Sequence, residues 1–176
     1  LSLPISSREE VYQDEFYTRY EQMILRGAGV AVPADMALAI FKWVRRHGWH
    51  IRLYEDSLPV IRDLKRMGKV VGIVSNVDRD LFPYCQQLGL AGEVDFVVTS
   101  WEVGVGKPHP AIFKSALEQA RTPPEHTVHV GDQYSTDILG ARGVGIKALL
   151  IDRDGNQQDV NDCPRMRTLW EVKEYI

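Results

Sequence analysis

Two carboxylates stand where an apolar stretch of the sequence stops. In HVGDQYSTDILGARGVG, residues 129–145, Asp132 closely follows the apolar run of residues 127–130, and Asp137 comes five residues later. Carboxylate oxygens suit Mg²⁺, which usually takes one or two carboxylates and completes its shell with waters and a substrate phosphate. Alternatively, both acids only stabilise the positive end of a helix dipole. Because a carboxylate directly after a buried strand is costly without a partner, the spacing favours a cation site.

A hydroxyl and an amide end a second apolar run. Ser75 and Asn76 follow KVVGIV, residues 69–74, and precede a segment of helical character. The free N–H groups at the start of a helix, next to polar side chains at a strand end, form a natural anion site. We therefore predict that both residues bind phosphate. The alternative is that Ser75, Asn76 or Asp78 does no more than cap the helix.

A lysine stands in a stiffened loop farther along the chain. Lys107 lies between Gly106 and Pro108 in the segment VGVGKPHPAIF. A fixed positive charge at such a place suits a phosphoryl group. The alternative is a solvated lysine ahead of a helix whose first turn carries Pro110. One phosphoryl group and one Mg²⁺ would use the hydroxyl, the lysine and the two carboxylates together, which favours a catalytic role for all three segments.

The elements that must position these residues alternate between helix and strand from about residue 56 onward. Helical patterns occupy residues 56–68, 79–90, 110–120 and 135–145, and continuous apolar runs occupy residues 69–74, 94–100, 127–131 and 147–152. Continuous apolar runs are typical of strands that are covered on both faces. The alternation predicts an α/β fold, a doubly wound, Rossmann-like parallel sheet. Ligands bind such sheets beyond the carboxyl ends of the strands, where the three segments lie.

Residues 1–50 have all-helical character instead. Residues 9–29 predict a helix with one apolar face, formed by Val11, Phe16, Tyr20, Met23 and Ile24. Residues 34–48 predict a second helix with an apolar stripe of Met36, Ile40, Trp43 and Val44. We therefore expect a small all-helical region over residues 1–50 and a Rossmann-like core over residues 51–176.

Composition narrows the classes of function. Lysine and arginine number 21 against 24 acidic residues, so there is no basic excess that would indicate a nucleic-acid partner. The apolar runs, such as residues 148–151, are too short to span a membrane, and the first residues do not resemble a secretory signal. Cys85 and Cys163 lie in neither a metal-binding nor a redox spacing. We expect a soluble, cytoplasmic protein with free thiols; its oligomeric state cannot be read from the sequence.

Taken in order, the three segments resemble the motifs of the haloacid-dehalogenase-like hydrolase superfamily, in its phosphatase-rich branch with a helical cap. The resemblance runs from about residue 50 to about residue 152, and motifs in this order and spacing are highly specific. It implies that Ser75 is the phosphate-binding hydroxyl, Lys107 the catalytic lysine, and Asp132 and Asp137 the acidic pair that binds Mg²⁺. Residues 1–50 resemble part of the cap.

One motif of the superfamily has no counterpart before Ser75. The first motif is an apolar strand that ends in Asp-x-Asp, whose first aspartate is the nucleophile and whose second is the general acid and base. Asp14 lies in an amphipathic helical segment without a preceding apolar run. Asp152 and Asp154 do follow an apolar run, but they would serve only in a circularly permuted chain.

In the superfamily the first-motif strand lies between the strands that here end at Ser75 and Gly131. Without it, both neighbouring strands would have unpaired backbone edges, and buried unpaired N–H and C=O groups are costly. We therefore expect a gap at this place, or a strand supplied from upstream of residue 1 or by another chain. The 176 residues by themselves should be inactive.

The resemblance implies a Mg²⁺-dependent phosphomonoester hydrolase that acts through an aspartyl-phosphate on a small phosphorylated metabolite. Two alternatives remain open. A metal-free haloacid dehalogenase of the same superfamily would not need the acidic pair Asp132 and Asp137 for a metal. A non-catalytic module would keep the fold without a nucleophile. Dependence on magnesium would distinguish the phosphatase from the dehalogenase. The full-length sequence would distinguish the phosphatase from a non-catalytic module.

Overall fold

The structure is a computed structural model, and it describes residues 14–15, 17–22, 25–26, 29–47, 52–77 and 79–176. The chain divides into two compact units, Leu1–Ile51 and Arg52–Ile176. Within the described ranges, no helix is long and apolar enough to cross a membrane. Four members of the first predicted apolar face lie outside those ranges, namely Val11, Phe16, Met23 and Ile24.

The first unit is helical where it is described. Residues 14–15, 17–22 and 25–26 are helical, and helix α1 spans Ala34–His47. The ring of Tyr17 stacks on that of Phe41, with the centroids 4.2 Å apart. Asp14 lies in the helical stretch that the sequence predicts.

Helix α1 buries a different stripe from the predicted one. Ala37 and Phe41 are its buried side chains, whereas Met36 and Trp43 are 50% and 63% exposed. Residues four apart lie on the same helix face, so the small Ala37 and the stacked Phe41 share one face. The prediction was wrong for Met36 and Trp43 because it ranked residues by hydrophobicity and took no account of this aromatic contact.

The second unit alternates helices and parallel strands. Its elements are α2 (Ser57–Arg66), β1 (Gly72–Ser75), α3 (Phe82–Gln87), β2 (Phe96–Thr99), α4 (Ser100–Val103), α5 (Pro110–Ala120), β3 (Val128–Gly131), α6 (Leu139–Arg142), β4 (Lys147–Ile151) and β5 (Arg165–Met166). Short 3-10 helices span Pro124–His126 and Leu169–Glu174, and one π-helical turn spans Tyr134–Ile138. The four predicted strands are all present.

Every strand pairing among the described residues is parallel. Strand β1 pairs with β2, placing Ser75 opposite Thr99, and β3 pairs with β4, placing Gly131 opposite Leu150. Strand β4 also pairs with the two-residue strand β5, which no apolar run in the sequence indicates. The α/β class and the parallel direction are therefore confirmed, and the strands are divided where the sequence predicts a gap. The ladders form two sheets, β1-β2 and β3-β4-β5.

Strand β4 is buried on both faces, as a doubly wound sheet requires. Ala148 and Leu150 belong to a core that includes Phe113 from α5. Leu149 points the opposite way and packs in a second core with Val60 from α2. The layers on the two sides of β4 hold this sheet in place.

A cavity of about 810 Å³ separates β1 from β3. Its walls include Ile73 and Val74 on one side and Val128 and Val130 on the other. Across the described part of the chain no strand lies between them, so each strand lacks a ladder partner on that side. This is the gap that the sequence predicts, and it places the ends of β1 and β3 around a shared space.

Candidate active site

Lys107 joins the ends of β1 and β3 across the gap. Its Nζ atom donates to the carbonyl oxygen of Val74 at 3.0 Å and lies 2.7 Å from Oδ1 of Asp137. The lysine side chain is only 14% exposed. The lysine is therefore held at the carboxyl ends of the strands, and the alternative of a solvated surface lysine is wrong.

The loop that carries Lys107 is clamped by Asn76. The Nδ2 atom of Asn76 donates to the Lys107 carbonyl oxygen at 2.9 Å, and the Lys107 N–H donates to Oδ1 of Asn76 at 2.7 Å. A Cβ atom on Gly106 would lie 2.8 Å from that same Oδ1, so a larger residue there would displace the Asn76 side chain. The Asn76 side chain thus holds the lysine loop, and its contact with phosphate stays a prediction.

Ser75 is the last residue of β1 and is half-buried. Its hydroxyl makes no hydrogen bond to any described residue. The turn that follows is fixed by Ser100, whose Oγ accepts from the Val77 N–H and donates to the Val77 carbonyl oxygen, both at 2.8 Å. A rigid turn next to an unengaged hydroxyl is suited to hydrogen-bonding an anion.

Asp137 is buried among donors in the π-helical turn. Its Oδ1 atom receives the ammonium of Lys107 and lies 3.3 Å from Nε2 of His129, and its Oδ2 accepts from the Gln133 N–H at 3.0 Å. A Cβ atom on Gly131 would lie 2.3 Å from the Asp137 side chain. The glycine that ends β3 therefore makes room for this carboxylate.

Charge and hydrogen bonding outweigh burial at Asp137. Burial would raise the pKa of this carboxyl, but the hydrogen bonds from His129 and Lys107, the positive charge of Lys107 and the Gln133 N–H lower its pKa to about 2. The carboxylate is therefore ionised at neutral pH. Together with Lys107 it forms a buried ion pair at the edge of the gap.

His129 is a site residue that the sequence interpretation missed. Its ring lies edge-on to Phe113, with the centroids 5.3 Å apart, and its Nε2 contacts Asp137. The signal was a lone polar residue inside the apolar run TVHVG. In a strand, a buried polar side chain needs a hydrogen-bond partner, and Asp137 is the only acid that lies five to eight residues farther along the chain.

Asp132 differs from Asp137 in its surroundings. Asp132 is exposed, and its carboxylate has no hydrogen bond or ion pair to any residue that the structure describes. Its backbone carbonyl oxygen accepts from Nε2 of Gln157 at 2.8 Å. Of the two predicted metal ligands, only Asp132 has carboxylate oxygens that are free to bind an ion.

Asp152 and Asp154 do not form a nucleophile motif. The buried Asp152 carboxylate accepts from the Asn156 N–H at 2.8 Å and from the Gln157 N–H at 3.1 Å, so it closes the loop after β4. Asp154 is exposed on that loop. The alternative of a circularly permuted nucleophile therefore finds no support.

The donor set fits Mg²⁺ bound through one protein carboxylate. No group of three or more His, Cys, Asp or Glu side chains in the described ranges could form a complete metal cage. Mg²⁺ needs no such cage, because it keeps several waters and binds through one or two carboxylates and substrate phosphate. Asp132 supplies one hard, unengaged carboxylate, whereas both oxygens of Asp137 already accept hydrogen bonds.

The parallel α/β fold and this cluster of acid, lysine and hydroxyl at the strand ends match a known class of hydrolase. The family described as "Hydrolase: haloacid dehalogenase-like hydrolase" matches residues 8–145. The chain therefore belongs to the haloacid dehalogenase-like hydrolases, and the resemblance of its motifs is confirmed.

Individual relatives differ in their named activities. Haloacid dehalogenase-like hydrolase domain-containing protein 3 of Danio rerio is 36% identical over 126 residues, which cover 72% of this chain and 51% of that protein. Phosphoserine phosphatase of Thermus thermophilus is 32% identical over 136 residues, covering 76% and 52%. The crystal structure of 2-haloacid dehalogenase from Pseudomonas syringae has a TM-score of 0.66 at 25% identity, covering 98% of this chain and 80% of that chain. The chain spans about half the length of the curated relatives it matches.

Proposed function

We propose that the protein is a Mg²⁺-dependent phosphomonoester hydrolase that acts on a small phosphorylated metabolite. The observation that carries this proposal is the position of Lys107, which is held between the Val74 carbonyl and Asp137 at the mouth of the gap. A buried cation at the carboxyl ends of parallel strands is suited to an anionic substrate. A relative named as a phosphoserine phosphatase supports the same substrate class.

The nucleophile in this proposal is an aspartate on a strand that fills the gap between β1 and β3. Such a strand would pair with the open edges of β1 and β3 and cover the apolar walls of the cavity. In a parallel arrangement its carboxyl end would lie beside Ser75 and Gly131, next to the ammonium of Lys107. No aspartate of the described residues lines the gap.

The chemistry runs in two steps. A carboxylate oxygen of that aspartate forms a bond to phosphorus as the bond to the leaving oxygen breaks, and the leaving oxygen takes a proton from a neighbouring acid. The oxygen of a water molecule then forms a bond to phosphorus as the bond between phosphorus and the aspartate oxygen breaks. The water gives a proton back to the neighbouring acid, phosphate leaves, and both groups are restored. Lys107 stabilises the negative charge of the phosphoryl group as it transfers, and the Ser75 hydroxyl donates a hydrogen bond to one phosphoryl oxygen.

Asp132 and Asp137 have separate roles in this proposal. Asp132 would hold Mg²⁺, which when bound neutralises negative charge on the phosphoryl oxygens. Asp137, with both oxygens engaged, holds the ammonium of Lys107 in place. The two acids of the motif are therefore not equivalent, although the sequence alone suggested one metal-binding pair.

We also propose a cytoplasmic location. Both cysteines are free thiols, with Cys85 buried and Cys163 half-buried. Burial raises the pKa of each thiol, so neither is a ready nucleophile or an exposed redox centre. Unpaired cysteines are the usual state in a reducing compartment.

Substrate class is tested by product release from the full-length protein. Inorganic phosphate should appear from a panel of small phosphate monoesters when Mg²⁺ is present, and a 2-haloacid incubated with a chelator should release no halide. Halide release without metal would favour the dehalogenase alternative, which is the named activity of one structural relative. No release of phosphate or halide from a folded full-length protein would favour a non-catalytic module.

A further inference from the structure

We infer that Gln157 is a positioning residue for Asp132, a role that rests on the proposed function of Asp132 as the metal-binding carboxylate. The Nε2 atom of Gln157 donates to the backbone carbonyl oxygen of Asp132 at 2.8 Å. This hydrogen bond ties the loop after β4 to the turn after β3. The bond holds the backbone of Asp132, the member of the acidic pair whose carboxylate has no hydrogen bond or ion pair to a described residue.

The backbone of Gln157 is itself fixed on both sides. Its N–H donates to Oδ2 of Asp152 at 3.1 Å, and its carbonyl oxygen accepts from the Arg165 guanidinium at 2.6 Å. The residue is half-buried although it belongs to a loop. The main chain of Gln157 is therefore held at the point from which its side chain reaches the Asp132 carbonyl.

Asp152 anchors this loop to the sheet. Its carboxylate is 4% exposed and accepts the N–H groups of Asn156 and Gln157, while its own N–H donates to the Met166 carbonyl oxygen in β5 at 2.7 Å. A continuous path of hydrogen bonds therefore runs from β5 through Asp152 and Gln157 to the turn that carries Asp132.

To bind a metal ion, the exposed carboxylate of Asp132 in the turn after β3 has to be held in one orientation. Asp132 lies between β3 and the π-helical turn, and its carboxylate contacts no described residue that could fix it. Its neighbour Gln133 is held, because the Gln133 N–H donates to Asp137. The Gln157 bond fixes the peptide unit between Asp132 and Gln133 from the carbonyl side, so it restricts where the carboxylate can point. Loss of such outer partners typically weakens metal affinity or activity by about 10- to 100-fold.

The test compares Gln157→Met with Gln158→Met in the full-length protein. Methionine keeps the length of glutamine and removes the donor. Gln158 is the matched control because it is exposed and its Nε2 donates only to the Gly155 carbonyl oxygen, within the same loop. Titration calorimetry with MgCl₂ should give about tenfold weaker binding for Gln157→Met and wild-type binding for Gln158→Met.

A second readout does not need the metal. Hydrogen exchange of the Gln133 amide, followed by NMR without Mg²⁺, should be faster in Gln157→Met than in wild type and unchanged in Gln158→Met. Should Gln157→Met fail to fold, Gln157→Asn replaces it, because it keeps the amide but is one methylene too short for the bond. Wild-type exchange at Gln133 and wild-type Mg²⁺ affinity in the Gln157 variant would overturn the inference.

Failure of the proposed function is distinguishable from failure of this inference. If wild-type protein showed no Mg²⁺-dependent turnover, the proposed function would be contradicted, while amide exchange at Gln133 would still decide whether Gln157 holds the turn. If wild type were active and the Gln157 and Gln158 variants behaved alike in both measurements, the positioning role alone would be wrong.

Discussion

The ammonium of Lys107 lies 2.7 Å from Oδ1 of Asp137, and both side chains are almost entirely removed from solvent. Removing one partner of such a pair leaves an uncompensated buried charge, which typically costs about 3–5 kcal/mol. The pair is therefore a structural element as well as a chemical one. It links the end of β1 to the turn after β3 on the two sides of the gap.

Lys107→Ala should lower kcat more than it raises KM, because the charge of Lys107 matters most as the phosphoryl group transfers. We expect a loss of about 10²- to 10³-fold in kcat, as for other donors aimed at developing charge. Steady-state kinetics on an aryl phosphate measure both constants. Lys114→Ala, which changes an exposed lysine on α5, should match wild type. A Lys107 variant with raised KM and unchanged kcat would contradict this role.

Asp137→Asn should change the acid stability of the protein. The folded pKa of Asp137 is about 2 against an ordinary value of 3.8, so its ionised form stabilises the fold above pH 3.8 and this contribution is lost as the pH falls through 2. The shift corresponds to about 2 kcal/mol. Urea unfolding from pH 6 to pH 2 should show the difference between wild type and variant shrinking by this amount below pH 4. A difference that stays constant over the whole range would refute the assignment.

Gly131→Ala should displace the Asp137 carboxylate. The new Cβ atom would lie 2.3 Å from the Asp137 side chain, a distance that real contacts do not tolerate. We expect a lower melting temperature together with reduced kcat. Gly143→Ala is the control, because its φ is −59° and its Cβ would meet nothing closer than 3.3 Å. Equal melting temperatures and equal kcat for the two variants would show that Gly131 is not needed for the position of Asp137.

Asn76→Ala should loosen the loop that carries Lys107. The variant removes both hydrogen bonds between the Asn76 amide and the Lys107 backbone. A neutral hydrogen bond contributes about 1 kcal/mol, so we expect a stability loss of about 2 kcal/mol and a clear fall in kcat. Asn161→Ala, on an exposed loop, should alter neither quantity. A fall in phosphate binding without any change in stability would instead favour direct contact between the Asn76 side chain and the substrate.

Much of the fold could be predicted from the sequence because its signals are local. Residues 110–120 were predicted as a helix and form one with the same limits, since Pro110 marks the first turn and an apolar face follows. The four strands were visible as continuous apolar runs. Strand β5 was not, because two residues, Arg165 and Met166, leave no pattern. Strand β5 forms because it pairs with β4, and this pairing is a tertiary contact that no local pattern indicates.

The candidate site could be predicted by residue type but not by contact. Ser75 and Asp132 were singled out by their places after apolar runs, Asp137 by its spacing from Asp132, and Lys107 by its loop between Gly106 and Pro108. That Asp137 would pair with Lys107 while Asp132 stays free depends on how the π-helical turn folds back on Gly131. The roles of His129 and Gln157 likewise depend on neighbours that are distant in sequence or on the opposite side of a turn.

The most direct test of the central claim is the Mg²⁺ dependence of aryl phosphate hydrolysis by full-length wild type, Asp132→Asn and Asp154→Asn. Asp154 is the matched control, because it is an exposed aspartate on the loop after β4 to which the proposal gives no role. We predict that wild type and Asp154→Asn turn over only with Mg²⁺ and stop with a chelator, and that Asp132→Asn loses at least about 100-fold in kcat/KM, as other electrostatic losses at reacting groups do. Turnover that survives the chelator, or an Asp132 variant as active as the Asp154 variant, would contradict the claim.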